Sequence, residues 1–201
     1  MATLASRDAP PLVLPEDAVL LTIDMQRGFD QFQRRNNPHC EANVRALQDT
    51  WRAAGRPLWH VQHDSTEAKS AFRPGQPGNL LKPETAPRGA EPLFHKSVHS
   101  ALIGTGIPER LAAEGRKTLV VCGIQTNYCV ATTARMAGNL GLTAFVVGDA
   151  CATFPQRLLS GHEVDAQLAH EVALAELHGE FATVVATKDV VAALANAQQA
   201  S

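Results

Sequence analysis

Three side chains whose types suit nucleophilic catalysis stand at the ends of short apolar runs. Asp24, Lys96 and Cys129 each lie at, or a few residues beyond, the carboxyl end of a predicted strand. The carboxyl ends of parallel strands share one edge of a sheet, so side chains that are far apart in sequence can meet there. We therefore treat this acid, amine and thiol as a candidate catalytic set.

The three groups together fit acyl transfer. A thiol attacks a carbonyl carbon as its thiolate, and an isolated cysteine has a pKa of about 8.5. Cys129 lies early in a predicted helix, and a helix N-terminus and a nearby ammonium such as that of Lys96 both stabilise a thiolate. The carboxylate of Asp24 can take the thiol proton and return it to a leaving amine. Backbone N–H groups of the turn 123–129 would bind the oxyanion.

An alternation of apolar runs and amphipathic stretches must position these groups. It predicts a doubly wound, three-layer α/β/α fold with a mostly parallel sheet. The predicted strands are residues 18–23, 57–62, 91–96, 118–123, 143–148 and 181–186, and the predicted helices are residues 41–54, 107–115, 127–140, 163–177 and 189–195. In the fourth helix, Val164, Leu168, Val172 and Ala175 recur at helical spacing and are expected to face the core.

Length and composition favour a single domain over residues 1–201. The chain is 45% hydrophobic and 19% charged, which is enough apolar material for a core. Residues 1–15 predict a loose N-terminal arm. Residues 64–92 hold five prolines and three glycines without a period, which indicates a long loop after a strand end. Such a loop is equally compatible with a lid over a ligand site and with a surface loop that has no function.

Several function classes are disfavoured by the same composition. A formal net charge of −2 without a basic tract argues against a nucleic-acid partner. No apolar run approaches the ~20 residues that span a bilayer, and the N-terminus lacks the apolar centre of a signal peptide, so we expect a cytoplasmic protein that does not bind membranes. The four cysteines, Cys40, Cys122, Cys129 and Cys151, are too scattered for a disulfide framework.

Four segments share the order and pattern of one enzyme family. Residues 20–29 contain Asp-x-Gln-x-x-Phe after a strand, residues 94–102 contain the lysine, residues 121–135 contain the cysteine turn, and residues 148–153 follow the next strand. Over about residues 18–190 they resemble the isochorismatase-like cysteine hydrolase superfamily, which includes nicotinamidase, N-carbamoylsarcosine amidase and ureidoacrylate-type amidohydrolases. The resemblance implies that Asp24, Lys96 and Cys129 are the general base, the electrostatic partner and the nucleophile.

The resemblance also implies details of the reaction. The Ile124–Gln125 peptide matches the family's non-proline cis bond, which would aim the N–H of Gln125, beside that of Cys129, at the oxyanion. True isochorismatase cleaves a vinyl ether and needs no cysteine, so Cys129 favours a C–N amide or ureide bond cleaved through a thioester. A homo-oligomer, either dimer or tetramer, is expected from the family.

A metal or another cofactor is not expected. Nicotinamidase carries an Asp-x-His metal motif after its second strand, and His60 and His63 do not reproduce it. His95 and His99 flank Lys96 and fit structural roles equally well.

Substrate contacts are expected from residues close in sequence to the catalytic strand ends, namely Gln26, Phe29, Asn127 and Tyr128. The loop around Arg73 and Asn79 is a candidate cover. One tyrosine and two tryptophans leave few residues for an aromatic cage, so we expect a small polar amide as the substrate. Water is the expected second reactant. The alternatives are a non-catalytic small-molecule-binding or regulatory protein on the same scaffold, and isochorismatase-type hydrolysis. Redox sensing is disfavoured because its second thiol, Cys122, falls inside a strand.

Overall fold

The computed structural model describes residues 11–199, with the side chains of residues 198 and 199 left aside. Most of the predicted N-terminal arm, residues 1–10, therefore lies outside the described residues. The described end of this segment packs onto the domain, because Leu14 is buried and Arg56 donates a hydrogen bond to the carbonyl of Pro15 at 2.9 Å.

Strands and helices alternate along the chain as predicted. The strands are β1 (Val19–Ile23), β2 (Leu58–His63), β3 (Leu93–Lys96), β4 (Thr118–Ile124), β5 (Thr143–Ala152), β6 (Gln156–Arg157), β7 (Glu163–Val164) and β8 (Thr183–Val185). The helices are α1 (Cys40–Ala53), α2 (Ile107–Ala113), α3 (Ala131–Asn139), α4 (Ala166–Leu177) and α5 (Thr187–Gln199). Within the described chain, none of the helices is long and apolar enough to cross a membrane.

Six strands form one parallel sheet in the order β3-β2-β1-β4-β5-β8. Every residue of β1 and β4 is buried, as expected for central strands that are covered on both faces. Helices α1 and α5 pack together, and α3 and α4 pack together. The predicted α/β/α architecture is confirmed.

The chain reverses its direction of travel across the sheet at β1. From β1 it proceeds through α1 to β2 on one side, whereas β4 lies on the other side of β1. In doubly wound sheets, a crevice opens at such a switch point beyond the carboxyl ends of the strands. Asp24 directly follows β1, and the turn that carries Cys129 follows β4, so both border this crevice.

Several predicted elements have different bounds, and two of these differences bear on the nucleophile turn and on the sheet. The predicted helix 127–140 is a single π-helical turn, Thr126–Val130, followed by α3. Val130 N–H bonds to the carbonyl of Gln125 at 3.2 Å, which closes the wider turn. Strand β5 continues beyond the predicted end at residue 148, because Cys151 and Ala152 pair with the last residues of β4.

The predicted inner face of α4 is wrong. Leu168 and Val172 are each 49% exposed, and Val164 belongs to the short hairpin β6–β7. The helix begins after Asp165, whose side chain accepts a hydrogen bond from the N–H of Leu168 and caps the first turn. Its buried face is formed by Ala166, His170, Ala173, Leu174 and Leu177.

Candidate active site

Asp24 is buried directly after β1, at the carboxyl end of the sheet. Its φ of +52° lies in the left-handed region, which aspartate tolerates better than most residues, and its N–H bonds to the carbonyl of Val61 at 2.9 Å. The residue is only 1% exposed. Backbone strain of this kind is common where a side chain must be aimed at a reacting group.

Lys96 joins the other two members of the predicted set. Its Nζ lies 2.7 Å from Oδ2 of Asp24 and 3.2 Å from Sγ of Cys129. Lys96 is 2% exposed, and Cys129 is 8% exposed, so both residues are buried. The structure therefore brings the acid, the amine and the thiol into direct contact from three separate segments.

Burial and neighbouring charges set the protonation of this cluster. Burial, and after it the carboxylate of Asp24, raise the pKa of the Cys129 thiol to about 12, although Lys96 acts in the opposite direction. Burial would lower the pKa of Lys96, but the charges of Asp24 and Cys129 outweigh it and raise that pKa. At neutral pH these two pKa shifts favour a protonated Cys129 thiol and a charged Lys96 ammonium.

The turn that carries Cys129 begins with a cis peptide bond between Ile124 and Gln125, as expected. Directly before it, Gly123 has a φ of +130°, and a Cβ there would lie 2.0 Å from the carbonyl oxygen of Ile23. Only glycine allows β4 to pass this close to β1. Behind the turn, Oγ1 of Thr126 lies 2.8 Å from Nδ1 of His170.

The side-chain amide of Gln26 hydrogen-bonds to the backbone at the end of β2 and in the loop 64–92. Its amide nitrogen donates to the carbonyls of His63 at 3.0 Å and Asn79 at 2.8 Å, and its oxygen accepts from the N–H of His63 at 2.9 Å. Asn79 is buried and donates to the carbonyl of Phe72 at 2.8 Å. These two amides fasten the loop to the end of β2, whereas Arg73 is exposed.

Phe29 belongs to a phenylalanine cluster that sequence reasoning missed. Its ring lies 4.6 Å from that of Phe72 and 6.0 Å from that of Phe154, and Phe32 lies 5.3 Å from Phe154. Local sequence patterns gave no sign of this cluster, because its phenylalanines come from distant segments. The cluster adjoins the catalytic groups through His63, whose ring lies 6.5 Å from that of Phe72.

Asn127 and Tyr128 occupy the turn itself. The side-chain oxygen of Asn127 accepts a hydrogen bond from the hydroxyl of Thr153. Tyr128 is 42% exposed, and its hydroxyl donates a hydrogen bond to the side-chain oxygen of Gln156 at 2.9 Å. Both residues directly precede Cys129 in the turn.

Two histidines flank the contact between Lys96 and Cys129. Nδ1 of His63 lies 3.4 Å from Nζ of Lys96, and Nδ1 of His99 lies 3.6 Å from Sγ of Cys129. Burial, and then the charge of Lys96, lower the pKa of His63. The sequence signal for His99 was its position three residues after Lys96, which did not by itself distinguish a metal-binding from a structural role.

His60 and His95 make contacts of their own. Nε2 of His60 lies 2.9 Å from Glu91, its Nδ1 lies 3.0 Å from Thr22, and His95 lies 2.9 Å from Asp64. In the part of the chain that the structure describes, no three His, Cys, Asp or Glu residues are grouped as a metal site would require.

Comparisons with known proteins find similarity over most of the chain. The isochorismatase domain family matches residues 18–189. The chain is 35% identical to an uncharacterized isochorismatase family protein of Bacillus subtilis, over 89% of this chain and 96% of the relative. It is 29% identical to Nicotinamidase 3 of Arabidopsis thaliana, over 84% of each chain.

Similarity to solved structures extends over nearly the whole chain. An isochorismatase family protein from Chromobacterium violaceum superposes with a TM-score of 0.90 and 42% identity, covering 94% of this chain and 99% of that one. The sheet order, the crevice and the sequence matches thus point to one conclusion. The chain belongs to the isochorismatase family of hydrolases.

Proposed function

We propose that this protein is a cysteine amidohydrolase that cleaves the C–N bond of a small amide or ureide through a thioester. The observation that carries the proposal is the position of the Lys96 ammonium, 2.7 Å from the Asp24 carboxylate and 3.2 Å from the Cys129 sulfur. A buried acid, cation and thiol in contact form the machinery for generating and using a thiolate.

The first step is proton transfer to Asp24. Because the pKa of Cys129 is raised, the thiol must be deprotonated as it attacks, and Asp24 is the buried base beside it. Lys96 keeps its proton, since its pKa is raised as well. The ammonium thus faces a carboxylate before the transfer and a thiolate after it, which keeps one counter-charge next to it throughout.

The thiolate then attacks the carbonyl carbon of the substrate. The S–C bond forms as the carbonyl π electrons move to oxygen, and the N–H groups of Gln125 and Cys129 bind the oxyanion. Removing one donor of this kind typically costs ~3 kcal/mol in the barrier. The carboxyl proton on Asp24 passes to the leaving nitrogen as the C–N bond breaks. A thioester and a free amine or ammonia result.

Water completes the cycle. Asp24, again a carboxylate, takes a proton from a water molecule that attacks the thioester carbon. The S–C bond breaks, the carboxylic acid leaves, and the sulfur regains the proton from Asp24. The reaction consumes one amide and one water molecule and needs no redox partner.

The choice of a C–N bond rests on the thiol and on the relatives. A cysteine nucleophile suits acyl chemistry, and the Arabidopsis relative is by name a nicotinamidase, which acts on an amide. The phenylalanine cluster packs beside His63, and we propose that an apolar part of the acyl group contacts it.

The test compares two cysteine substitutions. A panel of small amides, ureides, nicotinamide and isochorismate is assayed for ammonia or acid release with the parent protein, Cys129→Ala and Cys40→Ala. Cys40 is a matched control, since it is buried and its pKa is likewise raised to about 12 by burial, followed by the charge of Glu41. We expect Cys129→Ala to lose turnover and Cys40→Ala to keep it.

The intermediate gives a second readout. Mass spectrometry of the acid-quenched enzyme should find an acyl group on Cys129 during turnover. Amide hydrolysis that persists in Cys129→Ala would refute the proposal. Activity on isochorismate alone that survives the substitution would instead indicate vinyl-ether hydrolysis. Binding of a panel compound by the parent protein without turnover of any of them would indicate a binding protein.

A further inference from the structure

His99 contacts the reacting sulfur from outside the acid–amine–thiol set. Its Nδ1 lies 3.6 Å from Sγ of Cys129, which is within hydrogen-bond range for sulfur. Lys96 approaches the same sulfur at 3.2 Å. The sulfur is therefore flanked by two nitrogen groups, one of which has no role in the scheme above.

The imidazole is held in place by the nucleophile turn and the chain beyond it. The ring of His99 stacks on that of Tyr128 with centroids 5.9 Å apart and an interplanar angle of 25°. Tyr128 is in turn fixed by the hydrogen bond from its hydroxyl to Gln156. His99 is exposed, whereas Asp24 and Lys96 are buried, so it lies on the open side of the sulfur.

The sulfur needs donors when it becomes charged. Burial and the nearby carboxylate disfavour the thiolate, and Lys96 alone does not bring the pKa of Cys129 back to its ordinary value. Hydrogen bonds to a charged acceptor are roughly twice as strong as bonds between neutral groups. A second donor at the sulfur would therefore favour the thiolate selectively.

We propose that His99 is a further catalytic residue, which donates a hydrogen bond from Nδ1 to the thiolate of Cys129 and so increases its reactivity. This inference rests on the proposed role of Cys129 as the nucleophile. The thiol proton still moves to Asp24, and His99 keeps its own proton throughout. The titratable groups that face this sulfur are Asp24, Lys96 and His99, with His63 next to Lys96.

Alkylation of the native protein by iodoacetamide tests the inference without any substrate. Rates at Cys129 are measured by peptide mass spectrometry between pH 6 and pH 9. His99→Phe keeps a ring that can stack on Tyr128 but removes the donor, and His99→Asn places an amide N–H close to the position of Nδ1. His95→Phe is the control, because His95 is exposed and pairs with Asp64 away from the sulfur.

We expect His99→Phe to slow alkylation of Cys129 about tenfold and to move the pH profile upward, as the loss of a hydrogen bond to a charged group implies. His99→Asn should recover most of the rate, and His95→Phe should match the parent. Circular dichroism and thermal unfolding confirm that each variant is folded.

Two results would overturn the inference alone: an unchanged rate in His99→Phe, or an equal loss in His99→Phe and His99→Asn. If Cys129 of the parent protein reacts no faster than the fully buried Cys40, Cys122 and Cys151, both the proposed function and this inference are overturned.

Discussion

Replacing His170 by asparagine should remove part of the acid sensitivity of the fold. His170 lies buried on α4 behind the nucleophile turn, with Nδ1 2.8 Å from Oγ1 of Thr126 and Nε2 3.4 Å from the amide nitrogen of Asn37. Burial lowers the pKa of His170 to about 4, although Glu171 and Asp149 act in the opposite direction. The imidazole is therefore neutral in the folded protein at any pH above about 5.

The sign and size of the effect follow from linkage. The ordinary pKa of a histidine side chain is 6.5, and the folded value here is about 4, so the unfolded chain binds this proton more readily. Stability from this group is present above pH 6.5 and is lost as the pH falls toward 4. Between pH 7 and pH 5 the loss amounts to about 2 kcal/mol in the free energy of unfolding.

Urea unfolding at pH 7 and pH 5 measures this loss. His170→Asn keeps a polar atom near Nδ1 for Thr126 but does not titrate. His60 and His63, whose pKa values burial also lowers, are present in both proteins and cancel in the comparison. We expect the parent to lose about 2 kcal/mol more than the variant over this interval.

Parallel pH dependence in the two proteins would refute the reasoning. That result would mean that His170 titrates near its ordinary value in the folded state, and hence that it is not sealed from water. A lower stability of His170→Asn at both pH values is compatible with the reasoning, because the smaller side chain leaves a cavity that costs the same at each pH.

Two further substitutions, with Gly55→Ala as a control for the second, probe this end of the sheet. Lys96→Met leaves the carboxylate of Asp24 buried without its counter-charge. We expect the free energy of unfolding to fall by ~3–5 kcal/mol at pH 7 and turnover to be lost. Unchanged stability in urea unfolding would contradict the buried ion pair. Gly123→Ala should prevent folding or destabilise the protein severely, because its Cβ would lie 2.0 Å from backbone atoms. Gly55 has a φ of +62° and open space around it, so Gly55→Ala should lower the free energy of unfolding by only about 1 kcal/mol. Similar thermal unfolding of both variants would argue against the close approach of β1 and β4.

Much of the architecture could be predicted from local patterns. Apolar runs separated by amphipathic stretches were sufficient to predict the order of strands and helices, and therefore a parallel sheet. Because the carboxyl ends of such strands share an edge, the positions of Asp24, Lys96 and Cys129 along the chain already predicted that they would meet. The side chains are in contact in the structure, at 2.7 Å and 3.2 Å from Nζ of Lys96.

Local patterns failed where a contact between distant segments decided the outcome. The apolar spacing of Leu168 and Val172 predicted the wrong inner face of α4, because the helix starts at the cap Asp165 and packs through His170 and the small residues beside it. The side chains of Gln26 and Asn79 carry no local sign that they fasten a loop.

The sequence by itself determined which chemical groups are present and at which edge of the sheet they gather. Only the tertiary structure decided their protonation and their neighbours: the raised pKa of Cys129, the approach of His99 to its sulfur and the phenylalanine cluster around Phe29. The physical reason is that periodicity and strand order are local properties of the chain. Desolvation and distances of a few ångströms arise when segments far apart in sequence pack together.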